Sequence, residues 1–187
     1  GIITGRQQTY SIQIGVDTEG PILVDASHGR DTVEVINIGR HDKAVTIRGG
    51  HSHDTITAGN AQNVIYGDHG HDTISGGVAK DTIYGGYGKD FVKGSHGSDT
   101  IYGESGSLYV GGGHPDRLNG QGGNDTIYGD GGRDTLHGGN NRDYLYGGSG
   151  NDRMYGQNGN DRMTGGGGRD TMNGGNGADI LSGGKGN

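Results

Sequence analysis

The chain has 187 residues, 46 of them Gly and only 2 Pro, with a hydrophobic fraction of 27 % and a formal net charge of −7. The acidity argues against a nucleic-acid partner, the absence of Cys excludes disulfide stapling, and no run of 18 apolar residues is present to span a membrane as a helix. So little apolar material cannot fill a thick globular core, yet Gly in a strict period suits a thin-cored solenoid, whose coils bury their few apolar residues against their neighbours.

Residues 1–48 carry short β-rich runs at Thr9–Ile14, Pro21–Val24, Thr32–Ile38 and Ala44–Ile47, separated by turn residues such as Thr18-Glu19-Gly20-Pro21. They predict an N-terminal β cap over 1–48 that continues the strand stack of the segment after it. Gly29-Arg30-Asp31-Thr32-Val33 matches the later repeat, but the step from Asp31 to Asp54 is not a multiple of nine. Its register is broken, and the expectation there is an ordinary polar turn, with a calcium-holding turn as the alternative. The chain begins at Gly1 without Met, shows no signal-peptide pattern and stops inside a repeat, as a fragment or processed product would.

A nine-residue frame starts at Gly49. Its sixth position reads Asp54, Asn63, Asp72, Asp81, Asp90, Asp99, Leu108, Asp116, Asp125, Asp134, Asp143, Asp152, Asp161, Asp170 and Asp179. The repeat Gly103–Val110 is one residue short, which predicts a register slip at 103–110. The eighth position is a large aliphatic residue or Met throughout, from Ile56 and Ile65 to Met172 and Leu181. The cleanest block is Gly120–Ser182.

The pattern G-G-x-G-x-D-x-U-x, with U aliphatic, resembles that of the RTX (repeats-in-toxin) family of secreted bacterial proteins, and the resemblance covers 49–187. It implies an all-β fold, a parallel β-roll (a right-handed β-solenoid) that binds calcium. Two repeats make a coil, so residues two repeats apart stack about 4.8 Å from each other. Each x-U-x is a short strand with U turned inward, and each G-G-x-G-x-D is a turn whose glycines permit positive φ. Calcium needs six to eight oxygen ligands, more than one turn supplies, so each ion is expected between two stacked turns. One edge should carry Asp54, Asp72 and Asp90, the other Asp81 and Asp99. Beyond the slip the rows are Asp116, Asp134, Asp152 and Asp170, opposite Asp125, Asp143, Asp161 and Asp179. The backbone oxygens implied lie in the turns of the later repeats, at Gly129, Gly131, Gly147, Gly148, Gly150, Gly165, Gly166, Gly168, Gly174, Gly175 and Gly177.

Departures from the pattern predict weaker or missing sites around Asn63, Ala79 and Leu108. Position four, ordinarily Gly, is Ser52, Ala61, Ala79, His114 and Asn141 in five repeats, and Asn tolerates left-handed geometry better than Ala or His.

Other patterns ride on the frame. His51 and His53 lie two repeats before His69 and His71, which suggests either a zinc or other transition-metal site or solvated turn positions. Tyr66, Tyr84 and Tyr102 should stack on one face, with Tyr128 and Tyr146 on the opposite face beyond the slip. Such ladders stabilise strand stacking or offer rings for glycans or lateral association. Basic residues at position five, such as Lys80, Arg133 and Arg142, offset carboxylate charge. Position three is never Thr, which counts against an ice-binding face.

No H-E-x-x-H or G-x-S-x-G motif appears, so no catalytic role is expected of the segment. The reading is a secreted, non-catalytic, calcium-dependent β-roll, structural or adhesive at a bacterial surface or aiding export and folding of a larger protein. The alternatives are a polysaccharide-binding module of an extracellular enzyme, similar to the repeats of alginate epimerases, and a self-assembling subunit that extends through its open sheet edge.

Overall fold

The computed structural model describes residues 9–14, 22–37, 44–103 and 113–185. Among these, the chain is a parallel β-solenoid without helix, built from two sheets of nine and ten strands. Apart from the short Gly131–Gly132 strand, which joins the same sheet as the strand before it, strands alternate between the sheets in chain order. Thr55–Thr57 lies beside Thr73–Gly77 in one sheet, and Thr82–Tyr84 beside Thr100–Tyr102 in the other. The offset in both is two repeats.

The local cause is the triplet at positions seven to nine. Thr-Ile-Thr and Thr-Ile-Tyr are β-formers, and alternation sends the middle residue inward. Ile56, Ile65, Ile74, Ile83, Val92, Ile101, Leu118, Ile127, Leu136, Leu145, Met154 and Met163 are all buried in one continuous cluster between the sheets. Each contributes about 1.5–3 kcal/mol by leaving water. The cluster opens at the C-terminal end, where Met172 is only partly buried and Leu181 is 44 % exposed.

The stack differs from the spacing arithmetic in two places. Across the short repeat the offset lengthens by eight, with Val92 beside Leu118 and Ile101 beside Ile127. The rows therefore do not restart beyond the slip: Asp90 leads to Asp116 and Asp99 to Asp125. In the sequence the extra eight are residues 104–111, whose removal would restore the order Gly103-Gly112-Gly113-His114-Pro115-Asp116 of a six-residue turn segment. Leu108 itself lies outside the described residues. The second difference is at the N-terminal side, where each coil runs longer than two repeats: Thr9 sits beside Thr32, Thr32 beside Thr55, and Ile22 beside Val45.

The tyrosines follow the true register. Tyr66, Tyr84, Tyr102, Tyr128 and Tyr146 make one ladder on one face, with centroids 4.8–5.0 Å apart and planes within 8°. The expectation that Tyr128 and Tyr146 occupy the opposite face is corrected by the eight-residue insertion, which keeps each strand in its own sheet.

Candidate metal centre

The turns bring the position-six carboxylates into two continuous rows, one along each edge. From Asp54 to Asp161 every position-six Asp among the described residues is buried, with 2 % exposure or less. Each row is threaded by one repeated hydrogen bond, in which the backbone N–H of one Asp donates to Oδ1 of the Asp one coil on. Asp54 donates to Asp72 and Asp72 to Asp90, each at 2.8 Å. On the other edge Asp81 donates to Asp99 at 2.8 Å and Asp99 to Asp125 at 2.7 Å. The rows end on Asp170 and Asp179, whose Oδ1 atoms accept from Asp152 at 3.1 Å and Asp161 at 2.9 Å.

The second oxygen has no such use. Oδ2 of Asp54, Asp72, Asp81, Asp99, Asp125, Asp143, Asp152 and Asp161 is buried with no hydrogen-bond donor. Each lies against the position-one Gly of its own turn, beside the position-one carbonyl of the next coil. At Gly147, the place a Cβ would fill is 2.6 Å from Asp152 Oδ2 and 2.6 Å from the Gly165 carbonyl oxygen. At Gly49 the corresponding distances, to Asp54 Oδ2 and the Gly67 carbonyl, are both 2.8 Å. Buried acceptors facing buried acceptors are unstable unless a proton or a cation lies among them.

Among the described residues Asn63 is the exception in the rows. Asn63 places an amide where the Asp residues have Oδ2. Its Nδ2 donates to the carbonyls of Ala61 at 2.6 Å and Gly76 at 3.2 Å and to Asp81 Oδ1 at 2.9 Å. Gly76 is the position-one residue of the next coil, the counterpart of Gly165 beside Asp152. At the Asn turn an N–H₂ group supplies positive charge to these oxygens, and among the described residues no hydrogen-bond donor does so for Oδ2 of Asp54, Asp72, Asp81, Asp99, Asp125, Asp143, Asp152 or Asp161.

Electrostatics carries the same message. Desolvation raises the pKa of Asp72 and Asp143 to about 8, of Asp81 and Asp99 to about 7, and of Asp54 and Asp125 to about 6. The backbone N–H bonds pull these values down, while neighbouring carboxylates in the row push those of Asp72, Asp99 and Asp143 up further. Asp152 and Asp161 are raised by the same burial. Burial therefore shifts these carboxyls toward the neutral acid, and a cation beside them would favour the ionised form. The donor set of hard carboxylate and carbonyl oxygens fits calcium.

The turn backbone fits too. Position two takes positive φ even where it is not Gly, as at Asp68 (69°), Ser95 (84°) and Gln157 (78°). At position four, Ser52 and Asn141 also adopt the left-handed region, whereas Ala61, Ala79 and His114 do not, so those three turns depart from the rest. At Gly150 a Cβ would collide with the Gly132 carbonyl one coil away, which explains the glycine there.

Two expectations about individual residues change. Asp31 is not in a broken register: it is 1 % exposed, and its N–H donates to Asp54 Oδ1 at 2.7 Å, so it heads a row. The even recurrence of Thr9, Thr32 and Thr55 was the signal for this. The histidines do not form a zinc site. His51 lies flat on His69 at 4.9 Å and His53 on His71 at 4.6 Å. Ring nitrogens point in the plane of the ring, so parallel rings do not aim them at one ion. His53 Nδ1 already accepts from the His71 N–H, and His71 Nδ1 from the Lys89 N–H. Among the described residues no three or more His, Cys, Asp or Glu side chains are grouped to hold a metal. Any calcium here therefore relies on few carboxylates and on backbone oxygens.

Comparison with protein families matches the chain to the RTX calcium-binding nonapeptide repeat over residues 48–78, 75–107, 110–145, 130–163, 137–172 and 155–187. Comparison with curated proteins found no match. The two rows of buried carboxylates and the family match agree, and the chain belongs to the RTX calcium-binding nonapeptide-repeat family as a calcium-binding β-roll module.

Proposed function

We propose that this module folds on meeting calcium outside the cell and serves as a structural, adhesive or export-and-folding segment of a secreted or surface protein. The observation that carries the reading is the buried, donorless Oδ2 repeated along both edges. The residues proposed to hold the ions are Asp54, Asp72, Asp90, Asp116, Asp134, Asp152 and Asp170 on one edge. On the other they are Asp81, Asp99, Asp125, Asp143, Asp161 and Asp179. The backbone oxygens proposed are those of turn glycines such as Gly129, Gly147 and Gly165. Asp31 joins the first row by its geometry.

Bound calcium supplies the positive charge that these buried oxygens lack. The chain's own residues do the rest. Oδ1 of each Asp spaces the coils by holding the N–H below it, and Oδ2 stays turned toward the neighbouring carbonyl. The position-one Gly leaves room between them. Where these groups are ionised and unmatched, the rows repel one another and the thin core is insufficient to hold the coils. Binding free energy thus becomes folding free energy. Extracellular modules with such ligands respond at about 10⁻⁴–10⁻³ M calcium, so the chain would remain unfolded in a low-calcium cytoplasm.

The test is far-UV circular dichroism at neutral pH with calcium and then chelator. The reading expects a reversible change between coil-like and β-rich spectra, and a β-rich spectrum unchanged in excess chelator would overturn it.

A second reading, a polysaccharide-binding module, is favoured by charge. Thirteen of the 22 acidic residues sit at position six, which leaves nine against 15 Lys and Arg. With the position-six carboxylates matched by calcium, the remaining charge of the chain is net basic.

A further inference from the structure

The tyrosine ladder is closed at one end and open at the other. At Tyr66 the outer ring face is covered by the Arg48 guanidinium, 4.3 Å from the ring centroid, and Arg48 is itself held by Asp68 at 3.4 Å. Between the ends each ring covers the next, so the inner rings offer only their edges. At Tyr146 the column continues with Thr164 and then Ser182. Two small hydroxyl side chains stand where the period would place two more rings.

The result is a slot of about 160 Å³, lined by Tyr146, Arg162, Met163, Thr164, Ile180 and Ser182 together with Tyr144. Its end wall is the free face of Tyr146, which is 37 % exposed. Thr164 and Ser182 add two hydroxyls, and Ile180 adds an apolar edge. Arg162 follows Tyr144 in the neighbouring column and is exposed. Sites for drug-sized ligands begin at about 300 Å³. This smaller slot suits one ring and not a long oligosaccharide. The ladder spacing of 4.8 Å shows how a further ring would sit against Tyr146.

The surroundings select the sign of the ligand. Arg162 is the one charged side chain among the residues that line the slot, and no carboxylate lines it. A guest ring here meets an aromatic face, hydroxyls at its rim and a guanidinium able to grip a carboxylate in two-point fashion.

We propose that this slot binds a hexuronate ring, a pyranose bearing a carboxylate, within an acidic polysaccharide. Its C–H face stacks on Tyr146, its hydroxyls meet Thr164 and Ser182, and its carboxylate pairs with Arg162. This rests on the polysaccharide-binding reading and names the class of sugar. It also explains why the ladder stops at Tyr146 although the coils continue.

The test titrates the full chain, in saturating calcium, with trigalacturonate and with maltotriose, by calorimetry. Circular dichroism on the same samples reports folding separately, so failure of calcium-driven folding is distinguishable from failure of sugar binding. Trigalacturonate is expected to bind at least tenfold more tightly than maltotriose. Arg162→Gln should remove that preference, and Tyr146→Ala should weaken binding of both sugars. Tyr66→Ala, at the covered end of the ladder, should leave binding unchanged. Equal affinity for the two sugars, no binding by a folded chain, or binding indifferent to Arg162→Gln would overturn the proposal. So would light scattering that shows the slot filled by a second copy of the chain, with self-association lost in Tyr146→Ala.

Discussion

Asp152 does two jobs, and two substitutions separate them. Its Oδ1 accepts the Asp134 N–H at 2.9 Å, and its Oδ2 faces the Gly165 carbonyl without a donor. Asp152→Ala removes both oxygens. Leaving the buried Asp134 N–H without its acceptor costs about 1–3 kcal/mol, and the proposed sites above and below lose a carboxylate. Asp152→Asn keeps the Oδ1 acceptor and puts an N–H₂ group where Oδ2 was, as Asn63 does naturally. Its hydrogen bond to a carbonyl is worth about 0.5–1.5 kcal/mol. Asp179→Ala is the control, because Asp179 is only partly buried and terminates its row on Asp161. Calcium titrations followed by circular dichroism should rank the midpoints Asp152→Ala above Asp179→Ala, with reduced cooperativity only in the former. In chelator, Asp152→Asn should retain more β structure than the unaltered chain. Equal midpoints for the two alanine variants, or an Asp152→Asn chain no more ordered in chelator than Asp152→Ala, would refute the two-role assignment.

The pH dependence of the calcium-free chain follows from the raised carboxyl pKa values, about 6 to 8 against 3.8 unfolded. A raised folded pKa contributes stability that is full below 3.8 and lost as pH rises through 6 to 8. The chain in chelator should therefore be more β-rich at pH 5 than at pH 8.5, and the calcium midpoint should rise as pH falls below about 7, both read by circular dichroism. Asn63→Asp should add a calcium-dependent turn, raising the number of ions bound per chain in equilibrium dialysis and lowering order in chelator. Excising residues 104–111 should preserve calcium-driven folding, since Asp90–Asp116 and Asp99–Asp125 already stack; a chain that no longer folds would contradict the insertion reading. Tyr102→Ala breaks two ring contacts, each worth about 0.5–1.5 kcal/mol, and should lower the thermal midpoint in calcium.

Much of this molecule is legible in its sequence because two positions of the repeat are chemically exclusive. Position eight must be apolar to fill a core one side chain thick, and position six must be a short acceptor able to reach both the N–H below and the neighbouring carbonyl. Hence the period yields the coil, the inward Ile and Leu rows and the two Asp rows. What the period does not yield is register across an interruption. Counting residues treats the eight extra after Gly103 as a slip, whereas strand pairing carries both rows across them, and lengthening a connection costs little. The same reasoning hid the place of Asp31, whose coil is longer than two repeats. The histidines mislead for another reason: a spacing of two repeats places side chains in a column but does not say that flat rings will stack and turn their nitrogens away from a shared centre.

The most direct test of the central claim is an anomalous-scattering map from crystals of the chain grown in calcium. The account predicts ions in two rows, one along each edge, each beside an Asp Oδ2 and between turns stacked one coil apart, with none at the Asn63 amide. Ions confined to the outer surface, or buried Oδ2 atoms with no ion beside them in a calcium-saturated crystal, would contradict it.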